Sequence, residues 1–368
     1  MMKRGKRVRM GARKQATAHD MNAQLAFIHG NTTVRSESLR GFKDIVTGLG
    51  GNPAELLANA GIDVSLFDKG KGEFAYRQLM HVLEDAAAKL GCPDFGMRLA
   101  AIQAELGATK ALGPLEVAML NSPTLGDAYR YCAQHLHVYG SATQICFEKF
   151  ADDPRVFMLF EVLLVGGAHQ RQSVEHALAL TQHAVQAITA GQARAREVWF
   201  THQPLAPLAT YRANFNAVVR FGQSMNGLLF DEQDLELRLP NTDPQLYEMA
   251  TSFIDRRFPS MVMPLRTRVR INIARLLIEG SCTQEHVAAA LGLHPRTLQR
   301  KLRDEGESFE AIKDSVRRDL ALRYLQQPDV PLVRVTEMLG YSETSVLSRS
   351  CVRWFRASPR ELRNRPFY

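Results

Sequence analysis

Cysteine is scarce in this 368-residue chain. There are five, Cys92, Cys132, Cys146, Cys282 and Cys351, widely spaced and with no C-x-x-C pair. An odd, scattered set argues against a disulfide framework or a zinc site and for reduced thiols in a cytoplasm. Long apolar runs are missing as well. The longest, 156–168, is broken by Glu161 and is too short to span a bilayer. The basic start MMKRGKRVRMGARKQ is followed by no apolar segment, so it does not read as a secretory signal. No P-loop, G-x-S-x-G or H-E-x-x-H occurs, and the commonest signatures of nucleotide hydrolysis, serine catalysis and zinc proteolysis are thereby absent. His169, His176 and His183 share a helix face, but seven-residue spacing separates neighbours by about 10.5 Å, too far for bonds of about 2 Å to one zinc. His135 and His137 are closer and lack a third ligand. The sequence offers no catalytic residue, no metal site and no cofactor.

What is present is an ordinary globular composition, 45% hydrophobic and 23% charged, in a chain long enough for two domains. No 20–50-residue period repeats. The net charge of +8 is unevenly spread: residues 1–14 carry +7, residues 264–368 carry +7, and the stretch between them carries −6. A basic C-terminal module on an acidic body suits a polyanionic partner at one end.

Residues 1–33 read as a basic, disordered tail, or as an over-long start with Met21 as the first residue. Residues 34–240 read as a mixed domain. Helical patterns cover 38–49, 53–60, 76–90, 94–104, 124–137 and 170–189. Residues 142–150 and 156–165 pair as a hairpin around Asp152-Asp153-Pro154, and 197–202, 217–221 and 227–230 are further strands. Residues 241–262 form a linker helix, and 263–368 a separate helical domain. The fold class expected is α+β multidomain: a mixed regulatory domain followed by an all-α domain with two helix-turn-helix units.

The first unit is a helix over 265–279, a short helix over 284–291 capped by Thr283, a Gly292-Leu293-His294 turn, and a helix opened by Pro295. On that last helix Leu298 and Leu302 point inward. Arg296, Gln299, Arg300 and Arg303, at i, i+3, i+4 and i+7, point outward together. Arginine can grip guanine O6/N7 and glutamine adenine N6/N7 in a major groove. A solvated charged face has the same pattern; the short helix and glycine turn ahead of it decide for DNA. The arrangement recurs. A short helix over 331–339, with Val333, Val335 and Leu339 apolar, leads through Gly340-Tyr341-Ser342 into a helix over 343–355. There Ser345, Ser348 and Arg349 face outward, and Arg353 is placed to meet phosphate. The helix 309–325 joins the two units. Successive major grooves on one DNA face lie about 34 Å apart, so one chain can read two turns without a palindrome.

These stretches, VAAALGLHPRTLQRKLRDEGESF (287–309), RRDLALRYL (317–325) and VTEMLGYSETSVLSRSCVRWFRASPRELR (335–363), resemble the DNA-binding domain of AraC/XylS-type transcription regulators. The resemblance implies base contacts from Arg296, Gln299 and Arg300 in the first unit and from Ser345, Ser348 and Arg349 in the second. Three positions depart from the usual pattern: Arg356 replaces a glycine, Cys351 an aromatic and Val352 a basic residue. NPAELLANAGID (52–63), SPTLGDAYRYCAQHL (122–136) and NFNAVVRFGQSMNGLLFDEQDLELRLP (214–240) resemble the "arabinose-binding" regulatory domain attached to one branch of that family, with Asn216 where a glycine is often found. That resemblance implies effector binding and self-association. A DNA-repair alkyl acceptor of related architecture is not supported, because no Pro-Cys-His-Arg-type segment exists.

The reading is therefore a cytoplasmic bacterial regulator and not an enzyme. Its partners would be double-stranded promoter DNA, a small-molecule effector, a second copy in a homodimer and, for an activator, RNA polymerase, with no membrane. The alternative is an effector-independent regulator whose middle domain serves only dimerisation or protein contact. Phe95, Arg98, Tyr129, Tyr139 and Phe160 stand as candidates to line a pocket, though residues of these types are more often simple core or surface, and no effector residue is assigned.

Overall fold

Short apolar repeats punctuated by glycine and proline dictate short elements, and the N-terminal domain is built from them. The structure is a computed structural model that describes residues 32–65, 72–149, 154–162, 164, 170–258, 265–325 and 330–364. The basic segment 1–31, Asp152-Asp153 and His169 lie outside the described residues.

Strand β1 (Thr33–Arg35) pairs antiparallel with β2 (Glu73–Ala75). Helices α1 (Phe42–Gly48), α2 (Pro53–Asn59), α3 (Tyr76–Lys89) and α4 (Phe95–Glu105) pack around them on a core that includes Phe42, Leu57, Leu83 and Phe95. The single helix expected over 38–49 is in fact two pieces, a 3-10 turn Ser36–Leu39 and α1, because Gly41 takes φ 86 between them. A Cβ on Gly41 would also stand 2.7 Å from Ile102. Next come α5 (Pro114–Leu120), which periodicity did not reveal, and α6 (Leu125–His135), whose cap Thr124 accepts from Asp127 N at 3.1 Å.

Strands β3 (Thr143–Lys149) and β4 (Arg155–Val162) form the expected hairpin. Helix α7 (Arg171–Ile188) follows, then β5 (Glu197–Trp199), α8 (Leu208–Phe215), β6 (Val218–Arg220), β7 (Asn226–Asp231), α9 (Glu232–Leu235) and α10 (Pro244–Arg257). The five-stranded sheet has the order β3-β4-β7-β5-β6, antiparallel except for β5 with β6. Period-two alternation gives the sheet two different faces. Met158, Phe160, Val198, Leu228 and Phe230 face α6, α7 and α8 in the largest core. A wholly buried phenylalanine such as Phe230 contributes roughly 1.5–3 kcal/mol over an exposed one. Helix α10, read from sequence as a linker, adds Ala250 and Ile254 to this same core.

The other face of the sheet carries Cys146, Phe157, Leu159 and Leu229, with Met225 and the half-buried Trp199. It is covered from the C-terminal domain, where Ile271 of α11 (Leu265–Ile278) is buried against it. That domain is all helical: α11, α12 (Gln284–Ala290), α13 (Pro295–Asp304), α14 (Phe309–Leu325), α15 (Leu332–Met338), α16 (Thr344–Phe355) and α17 (Pro359–Asn364). Its own core runs through Val269, Ile273, Leu298, Leu302, Val316, Leu320, Leu347 and Cys351. Helix α11 is thus apolar on two sides: Val269 and Ile273 face this core, while Ile271 faces the sheet.

Candidate nucleic-acid interface

The first unit starts at Thr283, whose hydroxyl accepts from His286 N at 3.2 Å and caps α12. Gly292, at φ 65, ends that helix, and Leu293 N bonds back to Ala288 O at 2.8 Å. Such a closure is the usual way to stop a helix abruptly and redirect the chain. His294 then caps α13 through Nδ1, which accepts from Arg296 N at 3.3 Å, and Pro295 occupies the first turn. Leu298 and Leu302 are fully buried, which fixes the rotation of α13. Arg296, Gln299, Arg300 and Arg303 are all exposed, and their side chains take no partner among the described residues.

The second unit repeats the device. Gly340, at φ 65, ends α15, and Tyr341 N bonds back to Thr336 O at 3.0 Å. Leu347 and Cys351 are buried and set the rotation of α16. Arg349 is exposed and free of side-chain partners among the described residues. Ser345 is exposed and donates to Glu343 Oε2 at 2.9 Å, while Ser348 is half-buried and donates to Thr344 O at 3.0 Å. Arg353 is not a free cation: it is ion-paired with Asp314 of α14. The second oxygen of Asp314 accepts from Trp354 Nε1 at 2.9 Å. To reach a phosphate, Arg353 has to exchange Asp314 for it. Of the three apolar residues read on the short helix over 331–339, Val335 and Leu339 are buried and Val333 is 61% exposed, while Thr336 is buried beside Val335.

Sequence patterning did not reveal how α14 brackets the two units. Lys313 donates to Cys282 O at 2.7 Å, ahead of α12. Arg317 donates to Leu339 O at 2.8 Å and to Gly340 O at 2.9 Å, and it lies 4.3 Å from the Tyr341 ring. Asp319 holds Arg270 of α11 at 2.8 Å. One helix is thereby bonded to the start of the first unit and to the turn of the second.

Arg356 caps α16 in the left-handed region, at φ 55. This is the position where the family pattern has glycine, and an L-residue there costs roughly 1–2 kcal/mol in isolation. Because Arg356 is exposed, Arg356→Gly loses no packing. The variant is expected to raise stability by about 0.5–1 kcal/mol after the added unfolded-state entropy is counted, read as a higher urea midpoint at constant slope. Asn216, the other departure at a glycine position, sits at φ 45, which asparagine tolerates.

The pocket candidates in the N-terminal domain resolve mostly to core. Phe95 is wholly buried and stacks edge-on against Phe42 at 5.6 Å. Phe160 lies in the main core, and Tyr129 is buried with its hydroxyl on Thr181 O at 3.3 Å. Arg98 pairs with Asp94 at 3.0 Å on the surface, and Tyr139 is half-buried between the two N-terminal cores. Packing accounts for Phe95, Phe160, Tyr129 and Tyr139, and an ion pair for Arg98.

Comparison with known proteins matches residues 50–239 to the arabinose-binding domain of AraC transcription regulators and residues 287–365 to a helix-turn-helix domain. The chain is 33% identical over 330 residues to the HTH-type transcriptional regulator VirS of Mycobacterium tuberculosis, covering 90% of this chain and 96% of that one. It is 25% identical over 329 residues to the ornithine utilization regulator of Pseudomonas aeruginosa, covering 88% and 94%. Among solved structures, the transcriptional regulator CdpR of Pseudomonas aeruginosa aligns with a TM-score of 0.38 at 17% identity, covering 74% of this chain and 87% of that one.

Proposed function

The chain belongs to the AraC-type transcription regulators and is a DNA-binding regulator of transcription; on that premise we propose that it reads promoter DNA through α13 and α16 and that its N-terminal domain answers to a small-molecule effector. The observation that carries the DNA reading is the exposed stripe of Arg296, Gln299, Arg300 and Arg303, without side-chain partners among the described residues and turned outward by the burial of Leu298 and Leu302. Arg349 repeats it on α16, with Ser345 and Ser348 beside it and Arg353 available once Asp314 lets go. Guanidinium and amide groups on one helical stripe suit base edges in the major groove.

The effector reading is supported by the arabinose-binding domain match and by the contact of Ile271 with the outer sheet face. An effector that favours one arrangement of that contact shifts how both readers meet DNA, which is a population shift with reciprocal coupling. Self-association through α10 completes the proposal. Leu246, Met249 and Phe253 recur at i, i+3 and i+7 and are 45%, 69% and 49% exposed, an apolar stripe suited to a second copy. Among the described residues no helix is long and apolar enough to cross a membrane. We place the regulator in a bacterial cytoplasm, where an activating output requires a further contact with RNA polymerase.

The test is capture of genomic fragments by the full chain across salt concentrations. A few promoter fragments should be retained selectively, with affinity falling steeply as salt rises, because each phosphate contact releases counterions. Equal retention of all fragments would contradict a specific reader.

A further inference from the structure

Glu175 lies on α7 inside the N-terminal domain and is wholly buried. A buried carboxylate oxygen in such a place normally has at least one hydrogen-bond partner. One of the two on Glu175 does not. Its Oε1 accepts from Tyr211 Oη at 2.6 Å, while Oε2 is buried with no hydrogen-bond partner among the described residues. His202 stands beside it, with Nε2 3.6 Å from Glu175 Oε1 and likewise without a hydrogen bond. The other ring nitrogen of His202 faces Gln203 O at 2.8 Å, a carbonyl that requires Nδ1 to be the donor. Nε2 therefore carries a lone pair. Burial also holds His202 neutral, lowering its pKa to about 4. Tyr211 cannot serve either acceptor, because its hydroxyl already donates to Glu175 and accepts from Leu205 N at 3.0 Å.

Two polar atoms, Glu175 Oε2 and His202 Nε2, thus sit in one cluster without a hydrogen-bond partner among the described residues, and aromatic rings lie around them. Phe200 lies 5.0 Å from the His202 ring, Phe221 lies 5.6 Å from Phe200, and Tyr211 lies 4.9 Å from Phe221. Phe221 and His202 are half-buried, so this edge of the cluster lies near the surface. A buried carboxylate with aromatic faces around it is the chemistry that selects organic cations. We infer that the Glu175, His202 and Tyr211 cluster is the effector site of this domain and takes a small protonated amine, whose N–H groups fill the open lone pairs on Glu175 Oε2 and His202 Nε2. This rests on the effector-responsive reading proposed above and names its ligand class.

The charged neighbours of Glu175 suit a cation as its partner. Burial pushes the Glu175 carboxyl up to about 8; Tyr211 and Arg171 pull it down, while Glu84 and Asp94 push the same way as burial. Arg171 is turned toward Glu84, at 3.9 Å, and does not neutralise Glu175. Without an amine the Glu175 carboxyl therefore holds a proton near pH 7, and a bound ammonium displaces that proton to solvent. His202 also lies three residues beyond Trp199, whose ring is 5.0 Å from Phe157 in the patch that covers Ile271. A ligand at His202 is thus close in sequence to the interdomain contact.

The test is calorimetry on the full chain with butylammonium, tetramethylammonium, butyrate and butan-1-ol. Butylammonium should bind saturably, release a proton to the buffer at pH 7, and bind more tightly as pH rises from 7 to 9. Tetramethylammonium, lacking N–H groups, should bind more weakly, and butyrate and butanol not at all. Glu175→Gln and His202→Phe should each weaken butylammonium by about tenfold or more, with circular dichroism unchanged. Should Glu175→Gln fail to fold, His202→Phe and the proton release decide the question alone. Binding that is absent, or equal for butanol and butylammonium, overturns the assignment and leaves the acid of Glu175 bonded to His202 or to water. Promoter affinity is measured in parallel with the small-molecule fraction of a cell extract. If the extract changes affinity while no amine binds, effector control stands and this site is wrong. If neither acts, the effector reading falls with it.

Discussion

Arg300→Ala and Arg349→Ala together are expected to weaken promoter binding by roughly 2–6 kcal/mol, with each alone costing about 1–3 kcal/mol and relaxing preference at one half of the site. The expectation of near-additivity comes from the architecture. The two arginines stand on different helices, α13 and α16, each rotated outward by its own buried pair, Leu298 with Leu302 and Leu347 with Cys351. Neither arginine has a side-chain partner among the described residues, so its removal leaves no buried group unpaired. Thermal stability should stay as in the wild type while DNA affinity falls. Titration of a fluorescent promoter fragment, with a melting curve on each variant, separates the two effects. Unchanged affinity in the double variant would mean that the recognition faces are misassigned.

Glu197→Gln is expected to cost about 2 kcal/mol of folding stability at pH 7, and the deficit should vanish in acid. Glu197 is one-tenth exposed on β5 and gathers donors from three strands. Arg220 Nε reaches it at 2.5 Å, Trp199 Nε1 at 2.9 Å and Arg155 Nη1 at 3.1 Å. These contacts, Arg220 foremost, hold its carboxyl at about 2 against a usual 4.5. Because the folded pKa is depressed, the contribution is whole above about pH 5 and fades as pH falls toward about 2. The figure is kept to about 2 kcal/mol because Arg220 is half exposed and its attraction is screened by solvent. Urea titrations of both proteins between pH 7 and pH 2.5 should converge. Parallel curves would show that Glu197 contributes packing and not charge.

The C-terminal module was the most legible part of the chain, for a physical reason. Its helices are amphipathic over two or more turns, and Thr283, Pro295, Gly292 and Gly340 mark their ends with residues whose backbone or side chain stops or starts a helix. Phe309–Leu325 came out with its full length because Phe309, Ile312, Val316 and Leu320 keep one stripe. The bracket formed by Lys313 and Arg317 was not legible, because a cation on a helix surface looks the same whether it meets solvent or a carbonyl across the domain. The pairing of Arg353 with Asp314, 39 residues away in sequence, was hidden for the same reason.

The N-terminal domain was legible as mixed α and β but less so in detail. Strands of three residues such as β1 and β2 show no alternation to count. Helix α5 has seven residues and falls below the length at which helical periodicity can be told from an apolar run. The cluster of Glu175, His202 and Tyr211 comes from three separate elements and has no local signature. A single buried acid inside an amphipathic helix reads from sequence as an ordinary polar position.

The most direct test of two readers on one chain is a hydroxyl-radical footprint of the full protein on a captured promoter, repeated with Arg300→Ala and with Arg349→Ala. The account predicts two protected segments on one DNA face, about one helical turn of roughly 34 Å apart, with one segment lost in each variant. A single protected segment, or the same segment lost in both variants, would contradict it.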